Sequence, residues 1–213
     1  MTDTFWHDLS TRYSKEDWAK VPSIFAQEVK TYLPVGARIL ELGCGQGQDG
    51  LWFAEKENEM SVLATDLEPS ALENAKAMKA ERGIGTIEFE QLDLAQPSRF
   101  EDETFDVVYS HLALHYFDKK TTDQIFSEIY RVLRPEGIVA FLVNSVNDPE
   151  YKTGNEIEPD YFETAGTKKR YFSASTAHEF AKNFNVIVCD ENGETYKDSA
   201  KGVHSLVRFV GKK

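Results

Sequence analysis

The residues of this chain best suited to chemistry stand at the ends of short apolar runs. Gly43, Gly45 and Gly47 follow the run 37–42 (ARILEL), at the point where a strand must turn sharply into a helix. Glycine accepts positive φ and lets a ligand approach the main chain closely. Asp66 ends the next apolar run, about 20 residues beyond the glycines, the spacing at which an acid accepts from two ribose hydroxyls. Gly45, Gly47 and Gly50 also satisfy the G-x-G-x-x-G spacing of a dinucleotide site, so a nicotinamide or flavin enzyme fits these residues as well. Asp93, in Gln91-Leu92-Asp93-Leu94, separates the readings better. Its carboxylate can accept from an exocyclic amine while the next backbone N–H donates to a ring nitrogen, a combination that reads adenine.

Ser110 and His111 follow a fourth run, FDVVY, where a reacting group would sit. A histidine there can take up a proton near neutral pH. His111 and His115, four apart in HLALHYF, fit one helix face equally well, with a packing role; no third ligand accompanies them to hold a metal.

Positioning these groups requires a regular alternation of elements. Val21, Ile24, Phe25, Val29 and Leu33 lay one stripe on a helix over 18–32, stopped by Pro34 and Gly36. Strands are predicted at 37–42, 61–65, 86–89, 105–109 and 138–143, with helices through Leu51 to Ala54, over 69–79 and over 121–133. A helix over 174–184 and strands at 186–189 and 203–210 complete the chain. Continuous apolar strands separated by amphipathic helices imply a parallel sheet covered on both faces, with ligands beyond the strands' carboxyl ends.

One segment breaks the rhythm. Residues 144–169 are polar, carry Pro149, Gly154, Pro159 and Gly166, and are too long for a plain connection, so 144–172 is a candidate substrate lid. Tyr151, Tyr161, Phe162, Tyr171 and Phe172 flank it and either enclose a substrate or anchor the loop to the core. Arg170 can orient an anionic acceptor through two parallel hydrogen bonds.

Composition narrows the partners. A net charge of -12 works against binding a phosphate backbone, and the three-residue cluster Lys168-Lys169-Arg170 reads as a solvated turn. Two cysteines, Cys44 and Cys189, are too few for a disulfide framework or a zinc site. The first ten residues lack the pattern of a secretion signal, and no apolar stretch is long enough to span a bilayer. A single cytoplasmic domain over 1–213 is expected.

ILELGCGQGQDG, ATDLEPSAL, EFEQLDL, FDVVYSHLALHYF and RVLRPEGIVAFL, in this order and spacing, resemble the successive motifs of class I S-adenosylmethionine-dependent methyltransferases over 37–143. FWHDLSTRY, NDPEY, EIEPDYFE and KRYF are similar, more locally, to the tellurite-resistance methyltransferase group. The resemblance implies an α/β Rossmann-like three-layer sandwich around a mostly parallel seven-stranded sheet, with an antiparallel strand near the C-terminus. It implies S-adenosyl-L-methionine as cofactor and methyl transfer to a small-molecule substrate; a monomer or weak homodimer is expected, and the charge and the lack of a long apolar stretch predict no nucleic acid or membrane partner. Carried over by position, Glu41 lies near the methionine amine, Gly43 and Gly45 let the methionine tail pass, Asp66 binds ribose and Asp93 the adenine amine. Leu67 and Leu94 sandwich the base, Ser110 contributes backbone groups near the methionyl end, and Arg12 and Tyr13 belong to an N-terminal element that closes over the cofactor.

A sulfonium methyl group is already activated, so its transfer needs an in-line nucleophile more than a strong acid or base. Positioning alone supplies roughly 7–11 kcal/mol in favourable intramolecular cases. Two other classes share these motifs: a nicotinamide-dependent oxidoreductase and a non-catalytic nucleoside-binding regulator. Fold alone does not decide turnover.

Overall fold

Helix α1 (Asp3–Tyr13) opens the computed structural model, which describes residues 3–13, 21–55, 60–194 and 206–213. Helix α2 (Ile24–Lys30) begins where the Ser23 hydroxyl accepts from the Ala26 N–H at 2.8 Å, an N-cap that satisfies one of the first turn's spare donors. It is shorter than the helix expected over 18–32. Pro22 holds the preceding residue out of the helical region, Val21 is exposed rather than part of the buried stripe, and 18–20 lie outside the described residues.

The next elements follow the expected alternation: β1 (Arg38–Leu42), α3 (Gln48–Phe53), β2 (Ser61–Asp66), α4 (Pro69–Arg82), β3 (Ile87–Gln91), β4 (Phe105–His111), α5 (Lys119–Val132) and β5 (Leu133–Asn144). After β5 come β6 (Asn155–Glu158), β7 (Tyr161–Thr164), β8 (Thr167–Arg170), α6 (Ala174–Phe180), β9 (Asn185–Gly193) and β10 (Leu206–Lys212). Helix α6 stops short of the expected 184 because Ala181 leaves the helical conformation, and 203–205 of the last expected strand lie outside the described residues. No helix among the described residues is long and apolar enough to cross a membrane.

The main sheet has seven strands in the order β3-β2-β1-β4-β5-β10-β9. The first five run parallel, and β10 runs antiparallel to both β5 and β9. Successive β1 side chains face opposite sides, as the pleat requires. Ile39 joins Phe25, Val29, Leu51 and Phe53 on one face, while Leu40 and Leu42 join Ile125, Phe126, Ile129 and Phe141 on the other. Strand order reverses between β1 and β4, so a crevice opens above their carboxyl ends, the place where such sheets take ligands.

One buried carboxylate fastens three elements below that crevice. Asp49, in the first turn of α3, accepts from the Ser23 N–H (2.6 Å), the Ser23 hydroxyl (2.7 Å) and the Tyr109 hydroxyl (2.7 Å). Ser23 caps α2 and Tyr109 lies in β4, so the network joins α2, α3 and the sheet.

The segment after β5 is structured rather than an irregular loop. β6, β7 and β8 form a separate antiparallel sheet, its last hairpin closed by Ala165 and Gly166, both at positive φ (51° and 80°) as a tight primed turn demands. Tyr151, Phe162 and Tyr171 cluster at centroid distances of 5.4–6.2 Å and form the small sheet's own core. Of the two roles left open for these rings, packing supports the anchoring one. Arg170 is corrected outright. Its guanidinium is 5% exposed, donates to the Phe117 and Pro159 carbonyls (both 3.2 Å), is ion-paired with Glu158, and lies over Tyr161 and Phe180. A cation so enclosed fastens the lid and has no fork left for an anionic acceptor.

Arg170→Ala should therefore cost about 3 kcal/mol of stability, the low end for breaking a buried pair, because Glu158 keeps partial solvation. Urea denaturation measures it, and an unchanged midpoint would refute the fastening role.

Candidate active site

The glycine turn after β1 is held by main-chain bonds to the end of β2. The N–H groups of Gly43 and Cys44 both donate to the Thr65 carbonyl at 2.8 Å. Gly43 sits at φ +73°, and a Cβ there would stand 2.2 Å from Ala113 Cβ in the loop after β4, so both its conformation and its neighbour require glycine. The Gly45 N–H donates to Asp66 Oδ2 at 2.8 Å, and the other Asp66 oxygen accepts from the Glu68 N–H at 2.9 Å. The glycine turn and the acid predicted to read ribose are thus one unit. Each Asp66 oxygen retains a lone pair for a ligand hydroxyl. Burial pushes the Asp66 carboxyl up, and the N–H groups of Glu68 and Gly45 pull against that shift.

Glu41 stands beneath this turn and is 2% exposed. Its carboxyl is pushed well above the ordinary range by burial, then by the charges of Asp49 and Asp66. Burial also raises Asp49, while His111 and the hydroxyls of Tyr109 and Ser23 pull it back. Sequence reading missed Asp49; an acid inside the apolar stretch that follows the glycines was the available signal.

Asp93 accepts from the Ala95 N–H at 2.9 Å through one oxygen, which leaves the other for an exocyclic amine. A narrow cleft of about 30 Å³ lies beside it, lined by Leu40, Leu42, Leu92, Leu94, Phe100 and Ile129 among others. The crossover from β3 to β4 carries no helix, and this cleft is the space its irregular chain leaves against α5. Leu94 packs toward that cleft and Leu67 is exposed, so these two expected platforms for a base are not stacked on each other.

At the end of β4, the Ser110 hydroxyl donates to the Leu42 carbonyl at 2.8 Å and locks β4 to β1. His111 is the last residue of β4, whereas His115 lies in a separate 3-10 turn (Leu114–Tyr116) and is buried, so the two do not share a helix face. Between them Leu112 takes φ 57°, a strained conformation for a branched residue, at the rim of the crevice.

Helix α1 lies across this rim. The Gln46 side-chain amide in the glycine turn donates to the Ser10 carbonyl (3.1 Å) and hydroxyl (2.8 Å). His7 Nδ1 stands 3.6 Å from Glu68, and Trp6 meets Tyr116 edge-on at 4.7 Å. The helix thereby touches the loops after β1, β2 and β4. Arg12 and Tyr13 end α1; the side chain of Tyr13 lies outside the described residues.

The raised acid beneath the turn has a consequence for stability. Between the ordinary glutamate value near 4.3 and its higher folded value, Glu41 keeps its proton only in the folded state, so folding stability must fall as pH rises. Glu41→Gln should flatten that fall. Urea midpoints across this range give the slope, and an equally steep fall in the variant would show that other groups carry it.

Comparison with known proteins agrees with this geometry. Residues 39–137 match the family model described as a methyltransferase domain. Malonyl-[acyl-carrier protein] O-methyltransferase of Enterobacter lignolyticus (strain SCF1) is 33% identical over 105 residues, 49% of this chain and 38% of that protein. The chain spans well under two thirds of the length of that relative. Among solved structures, a SAM-dependent methyltransferase from Methanosarcina mazei superposes with a TM-score of 0.73 at 22% identity, covering 87% of this chain and 96% of the other. Burkholderia thailandensis 1,6-didemethyltoxoflavin-N1-methyltransferase, solved with 1,6-didemethyltoxoflavin and S-adenosylhomocysteine, also gives 0.73 at 18% identity, covering 99% and 84%. Residues 39–137 thus match a methyltransferase domain, and the chain shares its Rossmann-like fold with these solved methyltransferase structures.

Proposed function

We propose that this protein binds S-adenosylmethionine in the crevice above β1 and β4 and transfers its methyl group to a small-molecule acceptor. The observation that carries this reading is the bond from the Gly45 N–H to Asp66, which fuses the glycine turn and the ribose-reading acid into one preformed site within the matched segment. Asp66 offers its remaining lone pairs to the ribose hydroxyls, and Asp93 its free oxygen to the adenine amine. The cofactor supplies an activated methyl group; the chain supplies orientation and a dry floor. Bound there, it would present an electrophilic methyl group to the acceptor, whose proton would then need a receiver. His111, the last residue of β4, is the group we assign to receive that proton.

The lid over 144–172 is the acceptor side of the site in this reading. Two of its four cations are ion-paired, Lys169 with Glu150 at 2.7 Å and Arg170 with Glu158, while Lys168 stands opposite Glu163 in register and Lys152 lies over the Tyr151 ring. The pairing of Arg170 counts against its use as an anion fork, and so against carrying that part of the tellurite-resistance resemblance through to the acceptor. With a net charge of -12, nucleic acid is not the expected substrate.

Calorimetry with the isolated protein should show binding of S-adenosylmethionine and S-adenosylhomocysteine, and methyl-labelled cofactor with an acceptor panel should show turnover. NADH binding without either sulfur ligand would replace this reading with the oxidoreductase one. Asp66→Ala should weaken cofactor binding by about 1–3 kcal/mol, the cost of unpaired polar groups, and Asp93→Ala by less. Parental affinity in both variants would move the cofactor elsewhere.

A further inference from the structure

A second cavity, of about 250 Å³, lies on the face of the main sheet that α2 covers. Phe25 and Val29 of α2, Val188 of β9 and Val210 of β10 wall it, while the more exposed Glu28, Tyr32 and Arg208 line its solvent side. Val188 and Val210 stand opposite each other in register, and their strands lie beyond β5, away from the crevice above β1 and β4. Among the described residues, none of the glycine turn lines it, and neither Asp66 nor Asp93 does. It falls just below the roughly 300–1,000 Å³ of sites for drug-sized ligands, so it fits one ring and a short chain. Phe25 also stacks on Tyr109 at 5.6 Å, and Tyr109 bonds Asp49, so an occupant touches the framework of the crevice without entering it.

The polar groups at the opening are unequally charged. Arg208 donates through Nε and Nη2 to Asp190 (2.8 and 3.0 Å) and through Nη1 to Glu28 Oε2 (2.9 Å). Two carboxylates therefore hold one guanidinium and leave a surplus negative charge. Both Asp190 oxygens are taken, Oδ1 also accepting from the Asn192 N–H at 3.0 Å, whereas the bond to Glu28 uses Oε2 and leaves Oε1 for another donor. Tyr32, on the same cavity, adds a ring whose face attracts cations. In a chain of net charge -12, an anionic ligand meets repulsion from this cluster and from the protein's wider field. We infer that this cavity is a second ligand site, which takes a small organic cation with its apolar body among Phe25, Val29, Val188 and Val210 and its ammonium group on Glu28. Burial of the apolar body supplies the affinity, and Glu28 selects the sign of the charge. Its side chain is 42% exposed, so that selection amounts to only about threefold to fivefold.

Methyl-detected NMR on the valines tests this site with probes of one size and different charge: phenethylammonium, phenethyl alcohol and hydrocinnamate. The amine should shift the methyl groups of Val29, Val188 and Val210 saturably, bind about three to five times more tightly than the alcohol, and exceed the carboxylate by more. Saturating S-adenosylhomocysteine should leave these shifts in place, which separates the cavity from any amine taken by the crevice. In Glu28→Gln, whose amide oxygen can still accept from Arg208, the amine should lose its advantage while the alcohol binds as before. Val188→Phe should abolish binding of all three by filling the space. Absence of a saturable shift at those methyl groups overturns the site, as do shifts that S-adenosylhomocysteine erases. An amine that binds no better than the alcohol, or keeps its advantage in Glu28→Gln, overturns the cation assignment. Should a variant fail to fold, the ranking and the shifted methyl groups in the parent protein decide. Failure of S-adenosylhomocysteine to bind removes the cofactor reading and leaves this site standing on its own shifts.

Discussion

The structure hangs on one buried carboxylate. Asp49 receives three hydrogen bonds from Ser23 and Tyr109, and in doing so fixes the start of α2 and the first turn of α3 against β4. A desolvated acid is tolerable only when its lone pairs are filled, and here the donors come from elements far apart in sequence, 26 and 60 residues away. The glycine turn lies directly before α3, so whatever fixes α3 also fixes the approach to the crevice. Glu41, beside it, has a bond from the Gly50 backbone, while its Oε2 has no partner among the described residues.

The crevice itself is built by backbone more than by side chains. Thr65 accepts from two N–H groups of the glycine turn, Asp66 accepts from Gly45 and Glu68, and Ser110 holds β4 to β1. Such a site is preorganised by the same bonds that pair the strands, so recognition of a nucleoside costs little further ordering. Above it, α1 reaches three of the four loops through Ser10, His7 and Trp6. The floor is rigid because it is sheet, and its cover is held by a few side-chain contacts.

Much of this was legible in the sequence because period and punctuation carry it. Apolar runs ending in Gly43, Asp66, Asp93 and Ser110 placed the strand ends, and the loops lie together where a parallel sheet must put them. What escaped depends on contacts between distant residues. Ser23 reads as an ordinary helix cap and Tyr109 as part of an apolar strand; nothing local says that both donate to Asp49. Arg170 looked available because a cation in a polar segment usually faces water, yet folding of 155–170 into hairpins brought Glu158 and two carbonyls around it. The histidine spacing suggested one helix, but β4 continues through His111 before the chain turns.

The lid leaves and rejoins the sheet at a single point. The Phe172 N–H donates to the Asn144 carbonyl at 2.8 Å, and the Val146 N–H returns a bond to the Phe172 carbonyl at 2.9 Å, so the two ends of the excursion are hydrogen-bonded neighbours. Between them the small sheet has its own aromatic core and its own buried ion pair. The ends of this insertion meet, while Arg170 and Tyr161 dock its interior on the Phe117 and Tyr116 carbonyls. Its hairpins can therefore grow or shrink away from those docking points without altering the distance the main sheet must span.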